Sequence, residues 1–304
     1  MIRFALLLVV TLMTLPASAQ APAAHAVPPL PELRLAAIPE AARPRYTGDR
    51  FSYMEAGRAD APPLVLLHGV GANAMHWRFQ LAGLSENRRV IAWNAPGYIL
   101  TDNLVKESPD CRDYSDALAD FLTALKIDRL EIMANSFGSR VAQCFANYHP
   151  GVVTKMVLTG SAVGQRGMPE EEKERIIALR QQQVASGGYG FGARVAALLS
   201  AQVTPETAAL VRDVLRATNP KGFMQAVRFG LGDYYTPDFA ERLAMPILLI
   251  QGAEDRVNPT ETNAAVLEKA LPNARLVVLD GAGHLPEVEA PGRVNDLVMA
   301  FLAE

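Results

Sequence analysis

The chain has 304 residues, half of them hydrophobic, which is enough to bury a large core without disulfides or metals. A formal net charge of −3, a pI near 6.0 and no long run of one charge sign give no electrostatic basis for binding nucleic acid or an anionic membrane surface. A soluble globular class is expected, with partners of that kind disfavoured.

Arg3, the apolar stretch Phe4 to Leu15 and the small residues Ala17-Ser18-Ala19 follow the order of regions in a cleavable secretory signal over residues 1–19, cut after Ala19. The stretch is short of the roughly 20 residues that span a bilayer, so no stable membrane anchor is expected after cleavage. A periplasmic or secreted protein is expected. Residues 20–45 are rich in Ala and Pro with little periodicity, and they read as a leader lying across the surface.

Phe51 to Glu55 alternates in polarity, which predicts a strand near a sheet edge. Pro63 to Leu67 is a continuous apolar run, the pattern of a strand buried on both faces. Similar runs recur at Val90–Trp93, Leu130–Met133, Lys155–Leu158, Ile247–Ile250 and Leu276–Leu279. Helical spacing lies between them, in Tyr114, Ala117, Leu118, Phe121, Leu122 and Leu125 and again in Val141, Cys144, Phe145 and Tyr148. Alternating strands and helices predict an α/β fold with a mainly parallel sheet and helices on both faces. Cys111 and Cys144 are either a disulfide, favoured by an oxidising compartment, or two buried thiols, and spacing alone leaves both open.

Residues 162–243 break the alternation, with no buried strand but helical patterns at Glu170–Val184, Gly192–Leu199, Pro205–Ala217 and Gly222–Phe229. In sheets of this type ligands bind beyond the carboxyl ends of the strands, so this insertion is expected to cover that crevice as a helical cap. Residues 46–161 and 244–304 then form the core.

The run Leu130 to Asn135 stops at Ser136, which has small residues two before and two after it, Ala134 and Gly138. A serine hydroxyl is a weak nucleophile, and a sharp strand-to-helix turn exposes it beside a base and backbone N–H groups. Other predicted strand ends carry the remaining parts. His68-Gly69-Val70-Gly71 gives a tight backbone path that aims the Val70 N–H into the crevice; Asp255 follows Ile247–Ile250, and His284 follows Leu276–Leu279. Acyl transfer needs an imidazole to take and return the serine proton, and a carboxylate to fix its tautomer. Glu254 and Asp280 compete with Asp255 for that role, but Asp255 fits the motif spacing and the Ser136, Asp255, His284 order.

Taken together, these stretches, with Ala95-Pro96-Gly97-Tyr98, resemble the α/β-hydrolase superfamily, in its lidded group of esterases and lactonases, over essentially everything after Arg45. The resemblance implies an eight-stranded-type sheet. It also implies Ser136 as nucleophile, Asp255 as acid, His284 as base, and the N–H groups of Val70 and Phe137 as the oxyanion hole. The sequence departs from the pattern at Ala134, where the elbow usually has glycine, and at Ser139, where many members have another. His68 is expected to order the oxyanion loop.

Trp77, Phe223 and Tyr234 are candidates for an apolar pocket, together with Phe191, Met224, Phe229 and Tyr235. The histidines outside the motifs show no metal-ligand spacing, and the glycine loop lacks dinucleotide or phosphate spacing, so no metal or cofactor is expected. The expected activity is an exported serine hydrolase of carboxylic esters or lactones with an apolar part. The alternatives are hydrolysis of a carbon–carbon bond in a ring-cleavage product, suggested by Asn135 before the serine, acyl transfer to an alcohol or peroxide, and a silent binding protein on the same fold.

Overall fold

Leu64 and Leu66 pack on one face of a central sheet while Val65 and Leu67 pack on the other, so their strand is apolar throughout. The computed structural model describes residues 27–187, 192 and 194–304. The expected signal over 1–19 and the candidate Phe191 lie outside the described residues.

The strands are β1 (Leu33–Ala37), β2 (Arg50–Ala56), β3 (Pro63–Leu67), β4 (Arg89–Trp93), β5 (Leu130–Asn135), β6 (Val153–Thr159), β7 (Gly164–Gln165), β8 (Tyr234–Tyr235), β9 (Ile247–Gly252) and β10 (Ala274–Leu279). Eight of them form one sheet in the order β1-β2-β4-β3-β5-β6-β9-β10. Only β2 runs against its neighbours; β4, β3, β5, β6, β9 and β10 are parallel. β1 corrects the reading of 20–45 as a surface leader, and it places the start of the core ahead of residue 46. Its Leu33 pairs with Met54 and its Ala37 with Arg50, while Leu35 stays exposed, as an outermost strand allows. Arg45, which follows, forms an ion pair with Asp120.

Helices cover both faces. α1 (Arg78–Gly83) lies on one. On the other are α2 (Cys111–Ala124) and α3 (Phe137–Tyr148), which bury Phe121, Val141 and Phe145 against Val65, Ile132 and Leu158. Asp110 and Asp113 form a capping box at the start of α2, which satisfies N–H groups that a helix end leaves open. Cys111 and Cys144, on these two helices, are joined by a disulfide with Cα atoms 5.5 Å apart.

Between β6 and β9 lie α4 (Glu170–Ala185), α5 (Val195–Leu198), α6 (Pro205–Arg216) and α7 (Pro220–Leu231). Thr204 and Asn219 cap α6 and α7, each ahead of a proline whose missing N–H costs the first turn nothing. These helices share a core of Leu198, Val211, Leu215 and Phe223 that also takes in Phe79, Leu285 and Val288 from the body. β7 and β8 pair antiparallel at the base of the insertion, a feature that two-residue strands leave no periodicity to predict. After β9 come α8 (Ala264–Ala270), α9 (Pro286–Glu289) and α10 (Pro291–Ala303); Val294, Val298 and Phe301 of α10 pack on the α1 face.

Candidate active site

Ser136 sits between the end of β5 and the start of α3 with φ 51° and ψ −113°. A non-glycine residue in that region is strained by roughly 1–3 kcal/mol, so the surroundings must hold it there. The Ser136 N–H donates to Thr159 O at 3.1 Å, and the Ser139 hydroxyl donates to Ser136 O at 2.6 Å while accepting from the Ala162 N–H at 3.2 Å. Serine in place of glycine at 139 thus ties the elbow to the first residue of the cap. Gly138 has no such freedom, because a Cβ there would collide with the carbonyls of Leu67 and His68 at the end of β3. Ala134 is fully buried, and its strand keeps register with both β3 and β6.

Asp255 and His284 come from the loops after β9 and β10, and His284 Nδ1 lies 2.8 Å from Asp255 Oδ2. Neither of the competing carboxylates holds the imidazole: Glu254 accepts from the Ala201 N–H, and Asp280 is exposed. Asp255 also accepts from Gln251 Nε2 at 2.6 Å and from the N–H groups of Val257 and Asn258. Burial would raise its pKa, but His284 and these N–H groups outweigh that and hold the carboxyl below its ordinary range. The carboxylate is therefore ionised and fixed, as an acceptor for Nδ1–H must be.

His68 is fully buried, with Nδ1 2.8 Å from Gly69 O and Nε2 accepting from the Ala95 N–H at 3.1 Å. Burial pulls its pKa down to about 3, so it stays neutral and braces the loop that carries Val70.

Two connected chambers meet at Ser136. The first is lined by His284, Asn135 and the apolar Leu198, Val211, Leu215 and Leu285. The second is lined by Phe137, Phe223, Arg140, Arg180 and Arg194. Val70 and Arg194 border both. Phe223 lines the second chamber, but the structure corrects two other pocket candidates. Trp77 is fully buried on the far face of the sheet against Leu64 and Leu81, and Tyr234 is buried behind the second chamber, under the Arg140 guanidinium. Large apolar side chains are usually buried in a core, and sequence does not say which core.

Sequence reasoning missed the groups that surround His284. Asn135 Nδ2 lies 3.2 Å from the His284 carbonyl and 3.3 Å from Thr159 Oγ1. Gly160, with φ +47°, leaves room for the imidazole, since a Cβ there would come within 2.9 Å of His284 Nδ1. His76 borders the first chamber and pairs with the buried Glu287 at 2.6 Å. The three arginines were missed as well, because single arginines on helical patterns read as solvated surface.

A sequence profile described as the alpha/beta hydrolase fold matches residues 62–291, and the chain belongs to that family of hydrolases. The chain is 28% identical over 261 residues to a dihydrolipoyllysine-residue acetyltransferase component of an acetoin cleaving system from Pseudomonas putida, covering 84% of this chain and 67% of that protein. It is 27% identical over 273 residues to a 2-hydroxy-6-oxo-6-(2'-aminophenyl)hexa-2,4-dienoic acid hydrolase from Metapseudomonas resinovorans, covering 84% and 88%. Among solved structures, a malate-bound thermophilic esterase from Thermogutta terrifontis superposes with a TM-score of 0.77 at 20% identity, covering 90% of this chain and 98% of that one, a likeness of fold.

Proposed function

We propose that the chain is a serine hydrolase that cleaves carboxylic esters or lactones through an acyl-enzyme. The observation that carries this reading is the Asp255–His284 pair, bonded at 2.8 Å, opening with the elbow serine onto one cavity. In this mechanism Ser136 Oγ attacks the carbonyl carbon and its proton passes to His284 Nε2. The N–H groups of Val70 and Phe137 stabilise the resulting oxyanion. His284 returns the proton to the leaving oxygen as its bond to carbon breaks, and the acyl group stays on Ser136. Water, deprotonated by His284, then attacks the acyl carbon and releases the acid.

Cleavage of a carbon–carbon bond is the second reading, supported by the dienoic acid hydrolase among the relatives and by Asn135 beside the nucleophile. We also propose that the chain is exported, from the order of regions in its first 19 residues; N-terminal sequencing of the mature protein, starting at Gln20, tests this.

The test of the chemistry is intact mass after treatment with a fluorophosphonate, with Ser136→Ala and His284→Ala alongside. A single adduct on the wild type, absent from the serine variant and slowed in the histidine variant, is the expected result. No adduct under conditions that label a control serine hydrolase would sink the reading. A ring-cleavage dienoate turned over faster than any ester would favour the second one.

A further inference from the structure

The second chamber has an unusual charge balance. Arg140, on the first turns of α3, is 8% exposed; it donates to Gly230 O at 2.5 Å, stacks over Phe229 and Tyr234, and leaves its Nε without a partner. Arg194, from the cap, lies over Phe223 and reaches Val70 O only at 3.5 Å. Arg180, from α4, donates to Gln183. No carboxylate lines either chamber among the described residues. A buried cation without a counter-charge, as Arg140 is, is costly, and the half-buried Arg180 and Arg194, which repel each other, add to that cost. Burial lowers the pKa of all three guanidiniums, and the charge of Arg180 lowers that of Arg194 further; Tyr234 and Tyr98 oppose this at Arg140 and Arg194, but no carboxylate raises any of the three. Among the described residues, Arg45, Arg88 and Arg89 are each paired with Asp or Glu. The three around the nucleophile are left for something else.

We infer that the second chamber is a carboxylate subsite: the acyl half of the substrate carries an anionic group that Arg194, Arg180 and Arg140 receive, while the leaving group occupies the apolar first chamber. The assignment of halves rests on the proposed serine-hydrolase reading. His284 lines the first chamber and must reach the leaving oxygen, whereas Phe137, at the oxyanion, lines the second. Guanidinium forks suit a carboxylate because they can donate two parallel hydrogen bonds, each stronger for being charge-assisted. The natural substrate class is therefore a hemi-ester of a dicarboxylic acid, or a lactone bearing a carboxylate, with an apolar alcohol part.

The test compares monobenzyl glutarate with its neutral counterpart, benzyl methyl glutarate, by release of benzyl alcohol. The wild type should favour the anion in kcat/KM by about tenfold or more at low salt, the worth of one charge-assisted hydrogen bond. The preference should shrink as salt rises. Arg194→Gln and Arg180→Gln should each cut the ratio of the two kcat/KM values by about tenfold, while Arg175→Gln, an exposed arginine on the same helix as Arg180, leaves the ratio alone. Calorimetry with glutarate alone separates this inference from the catalytic reading. Binding that weakens about tenfold in Arg194→Gln upholds the anion site even if no ester is cleaved and no fluorophosphonate adduct forms. Equal turnover of the two esters by the wild type, or glutarate binding that neither arginine variant weakens, overturns it.

Discussion

The backbone N–H of His284 donates to the carbonyl of Leu198 at 2.8 Å, so the loop that carries the imidazole is bonded directly to the cap. The neighbouring bonds repeat the arrangement: Ser200 N–H and Gly283 N–H both donate to Glu289, Ala201 N–H to Glu254, and Arg256 to the carbonyls of Ala196 and Leu199. Movement of residues 196–201 is thereby coupled to the position of the His284 imidazole.

Gly283→Ala tests that coupling. A Cβ at 283 would approach Ser200 N at 2.7 Å and the Leu199 carbonyl carbon at 2.8 Å, both backbone atoms that cannot rotate away. Overpacking of this kind costs about 1–3 kcal/mol. Thermal unfolding should show a lower Tm, and kcat should fall with it as the imidazole shifts. Unchanged values for both would mean that the cap segment yields freely.

Asn135→Ala removes the side-chain donor to the His284 carbonyl and leaves Thr159 Oγ1 without that partner. A loss of about 1–3 kcal/mol in urea unfolding is expected from the unmet buried acceptor. Because Asn135 positions His284 through its backbone, kcat should drop about tenfold or more, a misplaced base being costly even when present. If the residue serves the fold alone, the stability loss will appear without the change in kcat.

Asp255→Asn should lower kcat by about four orders of magnitude and slow fluorophosphonate labelling of Ser136 with it, since the amide favours the wrong imidazole tautomer. The pH dependence has a definite sign. The folded carboxyl titrates below its ordinary 3.8, so the unfolded chain binds more protons in that range. The stabilisation is full above that value and is lost as pH falls through the folded pKa. Urea midpoints measured from pH 6 to pH 3 should therefore fall more steeply for the wild type than for the variant below about pH 4. Parallel slopes would rule Asp255 out as a source of acid sensitivity.

Linking Cys111 to Cys144 closes a loop with a sequence separation of 33, which by the loop-entropy argument stabilises by about 3–4 kcal/mol. Cys111→Ser with Cys144→Ser should lower the Tm accordingly, and the non-reduced wild type should alkylate no thiol. Two alkylated cysteines in oxidised, unfolded protein would show that the bond does not form.

The strands buried on both faces were legible because burial on two sides forces an unbroken apolar run, and β3 matches Pro63–Leu67 residue for residue. β1 was not. As an outermost strand it keeps Leu35 in solvent and needs no strong pattern, so its alanines read as leader. Ser136, Asp255 and His284 lie on strand-end loops whose glycines and order are local signals, and the structure brings Asp255 and His284 into contact and opens Ser136 and His284 onto one cavity. The groups that act across the chain carry no local mark. Asn135 meets His284 over a separation of 149 residues, and Arg140, Arg180 and Arg194 converge only once the cap is folded over α3. The pocket aromatics show the same limit, since Trp77 and Phe223 are both large apolar residues and differ in which core they join, one face of the sheet for Trp77 and the cap for Phe223.

The pairing of β7 with β8 brings the two ends of the cap side by side, with Gly164 opposite Tyr235 and Gln165 opposite Tyr234. The main sheet therefore sees the whole insertion as a single short gap between β6 and β9, however long the intervening chain is. A different set of helices could be spliced between the same two anchor points without changing strand order or the elbow. The proposed chemistry and the proposed anion subsite thus lie on separable pieces: the body carries Ser136 and His284, while the insertion brings Arg180 and Arg194.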